Sequence, residues 1–170
     1  RRRRDGAIFE GTFAFGWEVS SFVPGDSSRT SPRYWVAWTP ESRLMELGLS
    51  GAKARTFRVA SQAVLGGRLR LDLLQDVTDL EVLKALRSIK GIGPWTADIY
   101  LLSALGRCDA WPGGDLALQI AAQDLLGLER RPSPHEMAAL AEAWRPRRSA
   151  AARLLWSHYR GLRGLPQTVT

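Results

Sequence analysis

Leu83-Lys84-Ala85-Leu86-Arg87-Ser88-Ile89-Lys90-Gly91-Ile92-Gly93-Pro94-Trp95-Thr96-Ala97-Asp98-Ile99-Tyr100-Leu101-Leu102-Ser103-Ala104-Leu105 is the stretch whose reading decides the fold. Its first part carries Leu83, Leu86 and Ile89, which with Val82 just before it form an apolar stripe at helical spacing behind the capping box Thr78-Asp79-Leu80-Glu81. Its last part, Thr96 to Leu105, is apolar on nearly every side and predicts a buried helix. Between them a tight turn needs residues that accept positive φ, and Gly91 and Gly93 are expected to supply them. With no side chains there, backbone N–H groups can approach a phosphate, and the start of the helix at Thr96 adds its partial positive charge. Ile92 is expected to plug the turn into the core. Such a unit grips a sugar-phosphate backbone without reading bases. A Gly-x-Gly alone equally fits an ordinary turn between helices; the whole string from Ile89 to Ala97 is far more specific.

Working outward, the punctuation stays helical. Thr39-Pro40 reads as an N-cap and first helical position, opening a short helix to about Leu47. Ser50 caps the next helix, from Gly51 to about Leu65, with Lys53, Arg55 and Arg58 on its outer surface. Downstream, Asp115 opens a helix to about Leu126. Ser133-Pro134-His135-Glu136 is a second capping box, followed by Met137, Leu140, Ala141 and Trp144 on one face. A last helix, about Arg147 to Arg160, is expected to bury Ala151, Leu154, Leu155 and His158. The expected fold class is all-α. Residues 39–165 form the helical domain, 166–170 a tail, and 1–38 an aperiodic segment, irregular or partly β, with Ala7–Val23 and Tyr34–Trp38 as candidate short strands.

Charge and cysteine usage narrow the chemistry. The 170 residues carry 24 Lys+Arg against 17 Asp+Glu, a net +7, which makes a polyanion the partner to consider. Arg1 to Arg4 supply four of those charges as a terminal run, so the body is only mildly basic. The single cysteine, Cys108, excludes an intramolecular disulfide, a Cys-rich zinc site and a four-Cys iron–sulfur cluster. With no signal peptide or long apolar run, a soluble monomer of the bacterial cytoplasm or nucleoid is expected, with no membrane partner. Seven Trp need either a core or a flat ligand to stack on.

Four strings, in order, resemble the helix-hairpin-helix DNA glycosylase superfamily, on the branch that removes 3-methyladenine and related alkylated bases. They are Leu47-Gly48-Leu49-Ser50-Gly51-Ala52-Lys53-Ala54-Arg55, the hairpin through Asp98, Asp109-Ala110-Trp111-Pro112-Gly113-Gly114-Asp115-Leu116-Ala117-Leu118, and Trp144-Arg145-Pro146-Arg147-Arg148-Ser149. The resemblance spans about residues 41–160. It implies a helix-hairpin-helix glycosylase-like fold and Asp115 as the catalytic carboxylate, a role compatible with that of an N-cap. Trp95 stands where strand-nicking relatives carry a Schiff-base lysine, which implies simple hydrolysis of the base–sugar bond. Trp95 and Trp111 are the candidate walls for a cationic alkylated purine. Gly91, Ile92, Gly93, Thr96, Lys53, Arg55, Arg147 and Arg148 are the candidate contacts to the backbone of alkylated double-stranded DNA. No cofactor is required. The family's hairpin often holds a structural Na+ or K+, which by position would take the carbonyls of Arg87, Ile89 and Ile92.

Members of that family carry several helices before the position of residue 41, among them one with a Gly-Gln-Gln-like segment and an apolar wedge. Residues 1–38 show no such pattern, and their Arg/Gly/Ser/Pro bias favours a fragment end or an out-of-frame stretch. A truncated or incomplete glycosylase is therefore within the expectation. The alternatives are a non-catalytic hairpin module that only binds DNA and a helical protein-interaction domain. Asp115 in its Trp-Pro-Gly-Gly-Asp-Leu setting separates the first of these from an enzyme, because a pure binding module has no use for it.

Overall fold

Four short polar side chains stand just before helices, and each caps the helix that follows. Ser50 Oγ accepts from the Lys53 N–H (3.4 Å). Thr78 Oγ1 accepts from the Glu81 N–H (3.4 Å), and Glu81 returns a bond from the Thr78 N–H (2.9 Å). Ser133 and Glu136 repeat that reciprocal box at 3.3 and 2.8 Å. Asp115 Oδ1 accepts from Ala117 N–H (2.8 Å) and Leu118 N–H (3.1 Å). Each cap satisfies helix-end donors that have no partner within the helix, a contribution of about 1 kcal/mol apiece.

The structure, a computed structural model, describes residues 32–164. Its helices are α1 (Pro32–Trp38), α2 (Glu41–Glu46), α3 (Gly51–Leu65), α4 (Asp79–Arg87), α5 (Pro94–Ile99), α6 (Leu116–Leu125), α7 (Pro134–Ala141) and α8 (Arg148–Leu162), with single 3-10 turns at Leu71–Leu73 and Glu142–Trp144. No strand occurs among the described residues. The α5 helix runs on into a π-turn, Tyr100–Ala104, where the Leu105 N–H bonds to the Tyr100 carbonyl five residues back (3.1 Å). α1 and α2 lie on α3, α4 pairs with α5 across the hairpin, and α6 packs along α8. A common core joins them: Ala63, Leu69, Val82, Leu86, Ile89, Ala97, Leu101, Leu102, Leu118, Met137, Ala152 and Leu155 are all buried.

Three sequence expectations are corrected. Tyr34–Trp38 is helix, not strand, so the helical region begins upstream of residue 39. Its aromatic run imitates a β pattern, but Ala37 seats fully buried and α3 packs along it, with Gln62 donating to the Ala37 carbonyl (3.1 Å). Thr39 does not cap α2; its hydroxyl turns back to the Trp35 carbonyl (2.8 Å) and closes α1, while Pro40 takes the cap position. On α8, Leu154 is 72% exposed; the inward face is Ala152, Leu155, Trp156 and Tyr159, one residue's rotation from the expected stripe. The candidate strand Ala7–Val23 and the tail 166–170 lie outside the described residues.

Candidate active site

The hairpin closes as a turn should, through one glycine and not two. Gly91 takes φ +99°, while Gly93 sits at φ −87° in extended backbone as the N-cap of α5. The Ile92 N–H bonds to the Ile89 carbonyl (3.0 Å), and the Ile92 side chain is half-buried against the core, as expected of a plug. Gly91 has a second constraint. A Cβ there would run into the Thr56 side chain of α3. The absence of a side chain thus lets α3 press on the turn. Lys53 is exposed one helical turn before Thr56 on α3. Thr96 is exposed in the first turn of α5.

Asp115 sits half-buried at the start of α6, and three further elements converge on it. The Trp95 indole N–H, from α5, donates to Oδ2 (2.8 Å). The Trp156 indole N–H, from α8, donates to Oδ1 (3.3 Å). The turn Trp111–Asp115, closed by the Asp115 N–H to the Pro112 carbonyl (2.9 Å), aims the side chain. The carboxylate predicted from sequence and the hairpin tryptophan are therefore hydrogen-bonded neighbours. Trp156 was not singled out from the sequence. Its signal, an aromatic on the inward face of the last helix, is indistinguishable from core packing.

Trp111 is placed differently. It stacks on Trp144 (centroids 5.4 Å apart, planes tilted 58°) and packs against the core. Its buried Nε1 has no partner among the described residues, and a Cβ on Gly113 would lie 3.0 Å from that atom. Trp111 therefore packs on the core through Trp144 and leaves its indole N–H unpaired among the described residues.

The cations divide likewise. Arg148, expected to face a phosphate, is bidentate to Asp109 (Nε–Oδ1 2.8 Å, Nη2–Oδ2 3.0 Å) with only 17% of its side chain exposed. Arg145 bonds the same carboxylate (2.8 Å), and these guanidinium partners hold Asp109 below the usual carboxylate range, Arg148 foremost. Arg148 is thus a strut between the loop before Asp115 and the start of α8. Arg147 beside it is exposed. Arg55 lies 3.7 Å from Glu41 with most of its side chain in solvent. Asp98, on the hairpin's second helix, is pushed up to about 6 by burial, against the pull of Arg87 and Arg148. No helix among the described residues is long and apolar enough to cross a membrane, and no group of three His, Cys, Asp or Glu is clustered to hold a metal.

Comparison with known proteins places this arrangement. No protein-family model matches the sequence. The chain is 34% identical over 113 residues to YfjP of Bacillus subtilis, a candidate DNA-3-methyladenine glycosylase, covering 66% of this chain and 39% of that protein. It is 29% identical over 119 residues to the alkylbase DNA glycosidase-like protein mag2 of Schizosaccharomyces pombe, covering 69% and 56%. The chain thus spans about half the length, or less, of these curated relatives. Among solved structures, the Schizosaccharomyces pombe 3-methyladenine DNA glycosylase Mag1, in complex with abasic DNA, superposes with a TM-score of 0.71 at 24% identity, over 81% of this chain and 66% of that one. A DNA-3-methyladenine glycosidase from Bacillus halodurans gives 0.65 at 27% identity, over 80% and 63%. In sequence and in helical fold the chain is similar to the helix-hairpin-helix DNA glycosylases over the part of those proteins that it spans.

Proposed function

We propose that the chain hydrolyses the N-glycosidic bond of alkylated purines flipped out of duplex DNA, in base-excision repair. The observation that carries this is the 2.8 Å bond between Trp95, one residue past the hairpin's Gly93-Pro94, and Asp115 Oδ2. It ties a backbone-gripping turn to a carboxylate at the distance of one side chain.

Flipping costs a few kcal/mol, less for a damaged base that pairs and stacks poorly. The N–H edge of Trp95 is turned to Asp115, so a purine would meet its ring face, and a cationic alkylated purine is drawn to an electron-rich ring. Because that base already carries positive charge, it leaves as a neutral purine without a strong general acid. A water oxygen bonds to the anomeric carbon as the carbon–nitrogen bond breaks. Asp115 stabilises the cationic sugar and takes the proton that the water sheds. Gly91, Gly93 and Thr96 present backbone N–H groups and a helix start to the phosphates, with Lys53, Arg55 and Arg147 alongside, while the Ile92 N–H closes the turn on the Ile89 carbonyl. The carbonyls of Arg87, Ile89 and Ile92 would be the neutral oxygens that hold a monovalent cation; Ile89 keeps one lone pair beyond its bond to Ile92. Such an ion would offset phosphate charge.

Excision of alkylated purines from a labelled duplex tests the reading. Asp115→Asn keeps a capping oxygen, so the variant should fold and bind duplex DNA as wild type does while excision falls at least 100-fold, the lower range for a lost acid–base group. Wild-type excision by that variant would leave Asp115 as a cap only. Duplex binding with no excision by either chain would favour the non-catalytic module.

A further inference from the structure

The two oxygens of Asp115 are unequally engaged. Oδ1 accepts three N–H groups: Ala117 at 2.8 Å, Leu118 at 3.1 Å and the Trp156 indole at 3.3 Å. Among the described residues Oδ2 accepts one, the Trp95 indole at 2.8 Å. A carboxylate offers about four lone-pair sites, two on each oxygen, so Oδ1 is fully subscribed and Oδ2 keeps one site open. An aspartate's terminal torsion is broad, so the plane of the carboxylate is free to swing unless donors on both oxygens hold it. The two backbone donors come from one helix end and act on one side. Donors from α5 and α8 approach from other elements, so together the four fix the plane of the carboxylate and leave one oxygen position under-subscribed. Trp156 is half-buried and packed on the core, so its N–H is held in place before substrate arrives.

From this asymmetry we infer that Trp156 is a positioning residue: with the α6 N-terminus it pins Oδ1, making Oδ2 the oxygen presented to the sugar and the attacking water. The inference rests on the excision reading above. It gives Trp156 a task for its N–H, separate from any contact its ring makes.

Trp156→Phe separates the two, since it keeps the ring and the packing and removes only the donor. The kcat for an alkylated duplex should fall about tenfold, while KM and the affinity for undamaged duplex stay within about twofold, the scale of one lost bond to a charged group. Unchanged kcat, or a loss carried by KM alone, overturns the inference. A second measurement needs no activity. Trp95 and Trp156 indole N–H resonances can be assigned by their disappearance in the respective Phe variants. Asp115→Ser retains a capping oxygen but withdraws the carboxylate, and both resonances should shift in it. A stationary Trp156 signal overturns the inference whatever the enzyme does. If Asp115→Asn excises at the wild-type rate, the catalytic role of Asp115 fails instead, and if neither chain excises, the excision reading fails; in both cases the spectra still report whether Trp156 holds the carboxylate.

Discussion

At the residue scale the two hairpin glycines look alike in sequence and differ in what they do. Gly91 needs both its positive φ and its missing side chain, because Thr56 occupies the space a Cβ would take. Gly93 needs neither: its φ is ordinary and nothing lies within 4 Å of its Cβ position. Gly91→Ala should therefore lose about 1–3 kcal/mol in urea denaturation, the scale of a non-glycine left-handed residue, and more if Thr56 cannot yield. Gly93→Ala should lose about 1 kcal/mol or less, as a cap position exchanged for a poorer one. Equal losses would mean that α3 does not press on the turn. Asp115 was legible from its motif, and Trp95 from its place after the turn. Trp156 was not, because hydrogen-bonding it to Asp115 takes a separation of 41 residues, which no local pattern encodes.

At the element scale, the caps were legible and the helix faces less so. Ser50, Thr78 and Ser133 announce their helices through chemistry confined to four residues. The face of α8 depends on its packing against α6, and Leu154 shows how a one-residue rotation follows when that partner is unknown. Arg148 is the instructive cation. Its charge suggested a phosphate contact, but its fork is filled by Asp109. Arg148→Ala should cost about 1–3 kcal/mol of stability, as a charge-assisted pair at a half-buried junction. It should leave the salt dependence of duplex binding unchanged. Lys53→Ala should do the reverse: little change in stability, and a slope of log affinity against log salt shallower by about 1. A shallower slope in the Arg148 variant at full stability would return that residue to the DNA surface.

At the scale of the whole molecule, the all-helical class followed from periodicity over residues 39–160, whereas the start of the helical region did not, since α1 reads as β until α3 is laid against it. The electrostatics carry a pH consequence. Burial raises Asp98 to about 6 in the folded chain, from an ordinary value of 3.8. Between those values the unfolded chain has released the proton that the folded chain retains. The unfolded state then binds fewer protons, so stability falls as pH rises through about 4 to 6 and levels off above. Asp98→Asn should therefore melt higher than wild type at pH 7.5 and nearly level with it at pH 4. An equal difference at both pH values would mean that the buried charge is not the cause.

The π-turn at Tyr100–Ala104 bears on how the distance between grip and carboxylate can vary. A turn closed five residues back holds one residue more than the regular spiral needs. Removing that residue would tighten the spiral to its ordinary pitch and leave the registers of the flanking segments intact, so the hairpin and the Asp109–Asp115 loop would keep their seats. The spacer joining them thus contains a slot where chain length can change by one without re-threading the core.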